Sequence, residues 1–465
     1  MYYTSINTLD DDILLGIFRC YLLDFKPSVQ DPLVWCKISH VCRRWRNLIH
    51  SSPFHLGLQI LCTHFTPIVD MLDHLPPIPI FIDYAHMDQF PIEQDEIGIC
   101  RALRLRDRVR GINISLPHSI LDEILMLMDA SFPILEHLIL SSTVPVTFPK
   151  GFVAPNLRYL CLYGIGLPKR LRLLPSLVSL VRLRLGEIGA SSYFRPRLLV
   201  ARLQYLPQLR DLDLEFSVAI PRPSTERELL GKHGPPVTLP NLTHLRFRGV
   251  SVYLERLVAQ ISAPLLERLD ITFFNQLAFT LPYLSNFIVR TERLVPHTAA
   301  VVFRQDEVTI TPALSGNRRQ DGYVMLRVTC KPLDWQIDCI TQVCSNLMPA
   351  LSGVEHLTLD VMAEPDGLVE GTTWQELLRS FTGLKKLYIC DKLLGELSSA
   401  LNVEGLGSDP SFLPCLQKLD VSFRLPSATR AFRSFIHARR VAGLPGDFDL
   451  GLPTLSPSPS PLPPV

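Results

Sequence analysis

The chain reads as an α/β protein in two parts: a small helical module, then a solenoid of stacked strand-and-helix units sharing a parallel sheet. Three observations predict this. Residues 6–54 carry apolar side chains at helical spacing. The pattern Pro-x-Leu-x-x-Leu-x-Leu then recurs down the rest of the chain. Finally, 465 residues that are 47% hydrophobic and 20% charged describe a folded protein with a large core.

In the first helix, Ile13, Leu14, Ile17, Phe18, Tyr21 and Leu22 fall at the i, i+3, i+4 spacing of one face. Thr8 and the run Asp10, Asp11, Asp12 put a cap and negative charge where free amides and the helix dipole favour them. Asp31 followed by Pro32 is a second start signal, a cap residue with proline at the first helical position. Val41, Trp45, Leu48 and Ile49 form another stripe, closed by Ser51, Ser52 and Pro53. A helical module this small seldom buries that much apolar surface alone.

Residues 55–130 link and cap. Leu56–Ile60 and Ile78–Asp83 read as strands. The basic run Arg101–Arg110 alternates with apolar residues and lacks aromatics for base stacking, so it reads as a solvated helix face entering a strand at Gly111–Ser115.

Residues 131–442 hold the repeats. Units start at Pro133, Pro155, Pro207, Pro240, Pro264 and Pro414, with versions lacking the proline at Leu180, Val354 and Leu384. The closing Leu-x-Leu alternates in and out as a short strand, and the leucine three residues upstream closes the core. Amphipathic stretches such as Glu255–Ile261 and Trp374–Phe381 lie between. This is a leucine-rich-repeat pattern, with a parallel sheet on a concave face and helices outside. Thr143, Ile165, Ile188, Ser217, Val250 and Phe274 stand where regular units carry asparagine, which predicts uneven curvature. Between Leu281 and Leu351 the pattern weakens. Strands at 298–303, 308–310 and 323–330, with a polar loop at 315–322, read as irregular repeats or as an insertion that turns antiparallel. Phe432–Val441 predicts a closing helix, and the Pro/Ser-rich end of 443–465 a disordered or polyproline-like tail.

Leu9, Ile13, Leu14, Ile17 and Phe18, followed by Val41, Cys42, Arg43, Trp45, Arg46 and Ser51-Ser52-Pro53, resemble an F-box. With the irregular repeats and the segments W-Q-I-D from Trp335 and W-Q-E-L-L-R-S-F-T from Trp374, nearly the whole chain resembles the large F-box families of mushroom-forming (basidiomycete) fungi. The resemblance implies a substrate-recognition subunit of an SCF-type ubiquitin ligase, with a three-helix F-box at 6–54. The box would dock on a Skp-type adaptor and, through it, on cullin, while the repeats hold a target protein. It implies adaptor contact by Leu9, Ile13, Leu14, Ile17, Phe18, Val41, Cys42, Trp45 and Leu48. Asp10 replaces the family's usual proline, Phe54 stands in place of a closing tryptophan, and the interhelix segment 24–30 is long. These departures carry the alternative, a leucine-rich-repeat scaffold whose box is degenerate.

No glycine-rich phosphate loop, H-E-x-x-H, zinc spacing or G-x-S-x-G elbow occurs, so no catalytic residue, cofactor or metal is expected. Cys339 and Cys344 read as helix core. The eleven cysteines are scattered, and Cys161 and Cys390 read as small buried hydrophobes of a reducing compartment. A net charge of +1 gives no global attraction to nucleic acid or anionic membrane. No apolar run approaches the ~20 residues of a membrane span, and Met1-Tyr2-Tyr3 does not open a signal peptide, which points to cytoplasm or nucleus.

The informative surface is the outward column between the leucines: Ile139, Cys161, Arg184, Asp213, Arg246, Asp270, Tyr388 and Asp420. Before it run His137, Tyr159, Arg182, Asp211, His244 and Arg268. Arg and Asp on adjacent strands would pair laterally, each exposed pair contributing about 0–1 kcal/mol. The bland reading is a self-neutralised ladder that keeps the sheet soluble. The functional one is a target-binding surface built from Tyr159, Arg182, Arg184, Asp211, Asp213, Arg246, Arg268, Asp270 and Tyr388, because aromatics and arginine dominate hot spots.

Overall fold

A computed structural model of the chain describes residues 6–24, 35–64, 72, 77–85, 93–168, 173–219, 236–276, 278–312, 323–362, 371–401, 406–421 and 426–444. The chain divides into two compact units, Met1–Val218 and Ala219–Val465. No described helix is long and apolar enough to cross a membrane.

The first unit opens with helices α1 (Asp11–Asp24), α2 (Cys36–Ser39) and α3 (Arg43–Ser51). Asp11 and Asp12 occupy the first turn of α1, where they face free amides. Leu14, Phe18, Trp35, Ile38 and Ile49 are buried, and the Phe18 ring packs on Trp45 with centroids 4.7 Å apart. Arg44 donates to the Leu9 carbonyl at 2.6 Å and pairs with Asp11, tying α3 to the start of α1. The Trp35 indole donates to the Gln59 carbonyl at 3.2 Å. The helix start at Asp31-Pro32, and most of the interhelix segment, lie outside the described residues.

Seven strands follow: β1 (Ile60–Cys62), β2 (Ile80–Tyr84), β3 (Val109–Ser115), β4 (His137–Thr147), β5 (Tyr159–Gly166), β6 (Arg182–Ile188) and β7 (Asp211–Phe216). They pair in chain order, every neighbour parallel. Helices α4 (Glu93–Arg104), α5 (His118–Leu127) and α6 (Pro196–Leu203) lie between strands. The basic run divides as expected, its first part ending α4 and its last part entering β3. The strand expected at Leu56–Ile60 starts only at Ile60. Gly57 there has φ +63, and the Leu58 amide turns back to the Pro53 carbonyl at 2.9 Å, so the segment is a turn. Nor do helices fill every connector. Between β4 and β5 the chain runs through Pro149, Gly151 and Pro155 without helix, because two prolines and a glycine in so short a span cannot sustain one.

In the second unit the strands are β8 (Val237–Thr238), β9 (His244–Gly249), β10 (Ile261–Ser262), β11 (Arg268–Phe274), β12 (Thr298–Phe303), β13 (Glu307–Thr311), β14 (Tyr323–Thr329), β15 (His356–Val361), β16 (Lys386–Ile389) and β17 (Lys418–Val421). Its helices are α7 (Ser251–Val258), α8 (Pro282–Arg290), α9 (Leu333–Asn346), α10 (Met348–Leu351), α11 (Gly371–Arg379), α12 (Leu394–Leu401) and α13 (Pro426–Val441). The main sheet runs β9-β11-β14-β13-β12-β15-β16-β17. All pairs are parallel except the two that β13 makes, with β14 and with β12. The weak stretch of the repeat is therefore a meander set into a parallel sheet. The loop at 315–322 lies outside the described residues. Helix α9 packs on α11, α11 on α12, and α12 on α13, which closes the array.

All nine repeat positions begin strands, and one turn explains their shared signature. The amide of each upstream leucine or valine donates to the carbonyl three residues before it, as in Leu157 to Ala154 at 3.1 Å and Leu209 to Leu206 at 3.2 Å. The proline of the pattern therefore sits at the second position of a β-turn, where its fixed φ fits and its missing N–H costs nothing. The upstream residues (Leu135, Leu157, Leu180, Leu209, Leu242, Leu266, Val354, Leu384 and Leu416) and the strand leucines below them are buried. Each such side chain contributes roughly 1.5–3 kcal/mol by leaving water.

Candidate functional site

Two surfaces of the chain carry the candidate binding residues. The first is on the N-terminal helices. The nine adaptor candidates divide there by depth. Leu14 and Phe18 are 0% and 1% exposed, whereas Ile13 (51%), Ile17 (43%) and Val41 (60%) face solvent. Leu9, Cys42, Trp45 and Leu48 are half-buried. Helix periodicity groups Ile13, Leu14, Ile17 and Phe18 on one stripe, but α3 covers only part of it, through the Phe18–Trp45 contact. Phe54, beyond α3, is 73% exposed. This uncovered aliphatic and aromatic surface is what makes the segment a candidate interaction site.

The second surface is the face of each sheet opposite the buried leucines. In the first unit, register places Gly111, His137, Tyr159, Arg182 and Asp211 in one row. From His137 onward these side chains form a continuous stack. The His137 and Tyr159 rings lie parallel, centroids 4.5 Å apart, and the Arg182 guanidinium sits 5.6 Å over Tyr159. Arg182 in turn reaches Asp211 at 3.3 Å. Burial, aided by Arg110 and Arg158 and opposed by Glu136, holds the His137 imidazole below its ordinary value. The next row carries Ile139, Cys161, Arg184 and Asp213, with Arg184 and Asp213 3.1 Å apart. Lateral Arg–Asp pairing is therefore present here. Cys161 and Cys390, read as buried, are half-buried: Cys161 lies on the open face of β5, and Cys390 just past the end of β16.

Sequence reading missed two clasps on this face. Phe81 lies across β3 at Gly111, where a Cβ would come within 2.0 Å of its ring, and it meets His137 at 6.3 Å. Likewise Tyr163 lies across β6 at Gly186, where a Cβ would come within 2.2 Å of its ring. Its hydroxyl donates to Glu215 on β7 at 2.6 Å. Burial first, then Glu215, pushes the Tyr163 phenol up to about 12. The legible signal was a glycine at an outward strand position beside an aromatic one.

In the second unit three rows cross β9, β11 and β14. They are His244–Arg268–Tyr323, Arg246–Asp270–Met325 and Arg248–Thr272–Arg327. Arg246 and Arg268 are exposed, and Asp270 is half-buried. Burial raises the Asp270 carboxyl, while Arg246 and Arg327 pull it down. Tyr388, 42% exposed on β16, is brought beside Thr358 and Asp420, away from the arginines. The target candidates thus form two groups, one in each unit, plus Tyr388.

Among known proteins, no family model and no curated protein matches the chain. Among solved structures it is similar to the crystal structure of a TLR13–ssRNA13 complex, at 14% identity and a TM-score of 0.30, over 78% of this chain and 45% of that one. The chain thus spans less than half the length of that structure, and so loose a likeness carries no argument.

Proposed function

We propose that the chain is a protein-binding scaffold that serves as the target-recognition subunit of an SCF-type, cullin-based ubiquitin ligase. The observation that carries the ligase half is on α1 to α3. The residues that match an F-box leave Ile13, Ile17 and Val41 uncovered, while Leu14, Phe18 and Trp35 hold the helices together. A Skp-type adaptor covering those side chains would gain the apolar burial that the chain leaves unmade. The sheet faces would hold the target. Such a subunit acts by proximity: it raises the concentration of the target's lysines beside an enzyme bound to the same assembly, and needs no acid, base or metal of its own. The plain scaffold reading keeps the repeats and drops the adaptor. It is favoured by Asp10, which stands where the family carries proline.

The test is binding of the full chain to a Skp-type adaptor, beside the double variant Ile13→Asp, Ile17→Asp. Both positions are exposed, so the variant should keep the wild-type circular dichroism and melting. At least a hundredfold weaker binding by the folded variant is expected, since two buried isoleucines are each worth about 1.5–3 kcal/mol. Absence of adaptor binding by the wild type would leave only the scaffold.

A further inference from the structure

We propose that Cys330 and Cys339 are a reversible oxidation site, which hydrogen peroxide entering a recess beside β14 closes into a disulfide that ties β14 to α9. The site is separate from the candidate adaptor and target residues described above. Cys330 is the first residue past β14, Cys339 lies on α9, and both thiols are free. Gln336 and Cys339 are three residues apart, so they share one face of α9. Gln336 is buried, and its amide donates to the Cys330 carbonyl at 2.9 Å, the Lys331 carbonyl at 3.2 Å and the Arg304 carbonyl at 2.7 Å. That clamp holds the end of β14 against the helix face that carries Cys339, and the two thiols hydrogen-bond one another.

Their surroundings differ from those of an inert core thiol. Cys344, on the same helix, is fully buried, and burial raises its thiol above the ordinary value. Cys339 is also buried, yet its thiol lies below the ordinary value, because the bond from Cys330 outweighs burial and the nearby Asp338. The same bond, and burial, raise Cys330 in turn. Cys330 also has a route to solvent. With Arg304, Glu307, Thr329 and Lys331 it lines an open recess of about 630 Å³. Cys330 is therefore the thiol that meets the oxidant, and Cys339 the one that resolves it.

The oxidation proceeds in two displacements. The Cys330 sulfur takes one peroxide oxygen as the O–O bond breaks, and the Cys330 proton leaves with the other oxygen as water. The Cys339 sulfur then displaces the hydroxyl from the Cys330 sulfenic acid, which leaves with the Cys339 proton as a second water. Two thiols lose two electrons to form one disulfide, and one hydrogen peroxide is reduced to two waters. Exchange with an external dithiol restores the pair.

The test uses the full chain, reduced, freed of reductant and treated with hydrogen peroxide. Remaining thiols are blocked with N-ethylmaleimide, and peptides cut without reductant are read by mass spectrometry. Cys20 and Cys415, both exposed, report that the peroxide has acted. A Cys330–Cys339 disulfide is expected in the native protein, and dithiothreitol should remove it. In Cys339→Ser, Cys330 should stop at the sulfenic acid and carry roughly tenfold more dimedone adduct than in wild type. In Cys330→Ser, Cys339 should stay reduced. Absence of the disulfide once Cys20 and Cys415 are oxidised, or its formation only in urea, would overturn the proposal. Equal dimedone labelling of Cys330 in wild type and Cys339→Ser, or oxidation of Cys339 in Cys330→Ser, would overturn the assigned roles. The wild-type mapping decides the matter even where a variant does not fold.

Discussion

Arg439 offers the sharpest test of how the repeat array is closed. It lies on α13, is fully buried, and donates to the carbonyls of Phe412 and Leu413 at 3.0 Å each. Those carbonyls belong to the turn that launches β17, where Leu413 adopts φ +48, a left-handed conformation that costs a branched residue about 1–2 kcal/mol. The guanidinium holds that turn in place. Replacing Arg439 with Met keeps an aliphatic stem of similar length and removes both donors. Each lost charge-assisted bond is worth about 1.5–3 kcal/mol, partly offset because a buried cation no longer has to be desolvated. The net expectation is a loss of about 2–4 kcal/mol, with Arg439→Lys intermediate because an ammonium can serve one carbonyl well. Hydrogen exchange is the assay. The Gln417 and Lys418 amides, which bond to the Lys385 carbonyl at 2.8 and 2.9 Å, should lose roughly thirty- to a thousandfold in protection, at 1.4 kcal/mol per tenfold. Protection of β17 within threefold of wild type in Arg439→Met would refute this account of the closing turn.

Two further perturbations follow from buried groups. Trp374 is fully buried, meets Phe303 edge-on at 5.7 Å and donates to Glu396 at 3.1 Å, so Trp374→Ala should cost about 3–5 kcal/mol in urea unfolding of the second unit. A cost under 1 kcal/mol would mean that the site collapses around the gap. Glu255 is buried and accepts the Tyr283 and Leu284 amides at 2.9 and 2.8 Å, capping α8, while burial raises its carboxyl above the ordinary value. A raised folded value means that its stabilisation is complete below the unfolded value of about 4.3 and is lost as pH rises through the folded one. Glu255→Gln keeps an acceptor and removes the titration, so its urea midpoint relative to wild type should rise between pH 4.5 and 7.5. A relative midpoint that falls over that range would contradict the burial-dominated shift.

The strands of the repeat were legible because each is announced twice, by leucines at period two and by a proline-compatible turn just upstream. The meander at β12 to β14 could be seen as a lapse in that signal, but its strand order could not, since local sequence does not say which neighbour a strand will choose. Leu56–Ile60 misled because alternation of Leu56, Leu58 and Ile60 is also met by a tight turn around Gly57 that buries all three. At the candidate surfaces the residue types were legible and their depth was not. Ile13 and Leu14 are adjacent in sequence and equally apolar, and only the placement of α3 separates the exposed one from the buried one. Pairing of Arg182 with Asp211 followed from register, whereas the row that joins Thr272 to Arg327 emerged only when β14 was found beside β11.

The two glycine clasps bear on how this array can come apart. In a simple stack each repeat feels only its neighbours, so strands can be lost one at a time from an end. Phe81 reaches over Gly111 to His137, and Tyr163 over Gly186 to Glu215, which links β2 to β4 and β5 to β7 past the strand between. Each clasp couples three consecutive strands, so they are expected to be lost together and not one at a time. It also makes the middle strand irreplaceable by a copy of any other, because every other repeat carries a side chain where the ring must pass. Duplication or deletion of a single unit, the usual way repeat arrays change length, would break a clasp within β2–β4 or β5–β7 and leave both intact at the boundaries between those blocks.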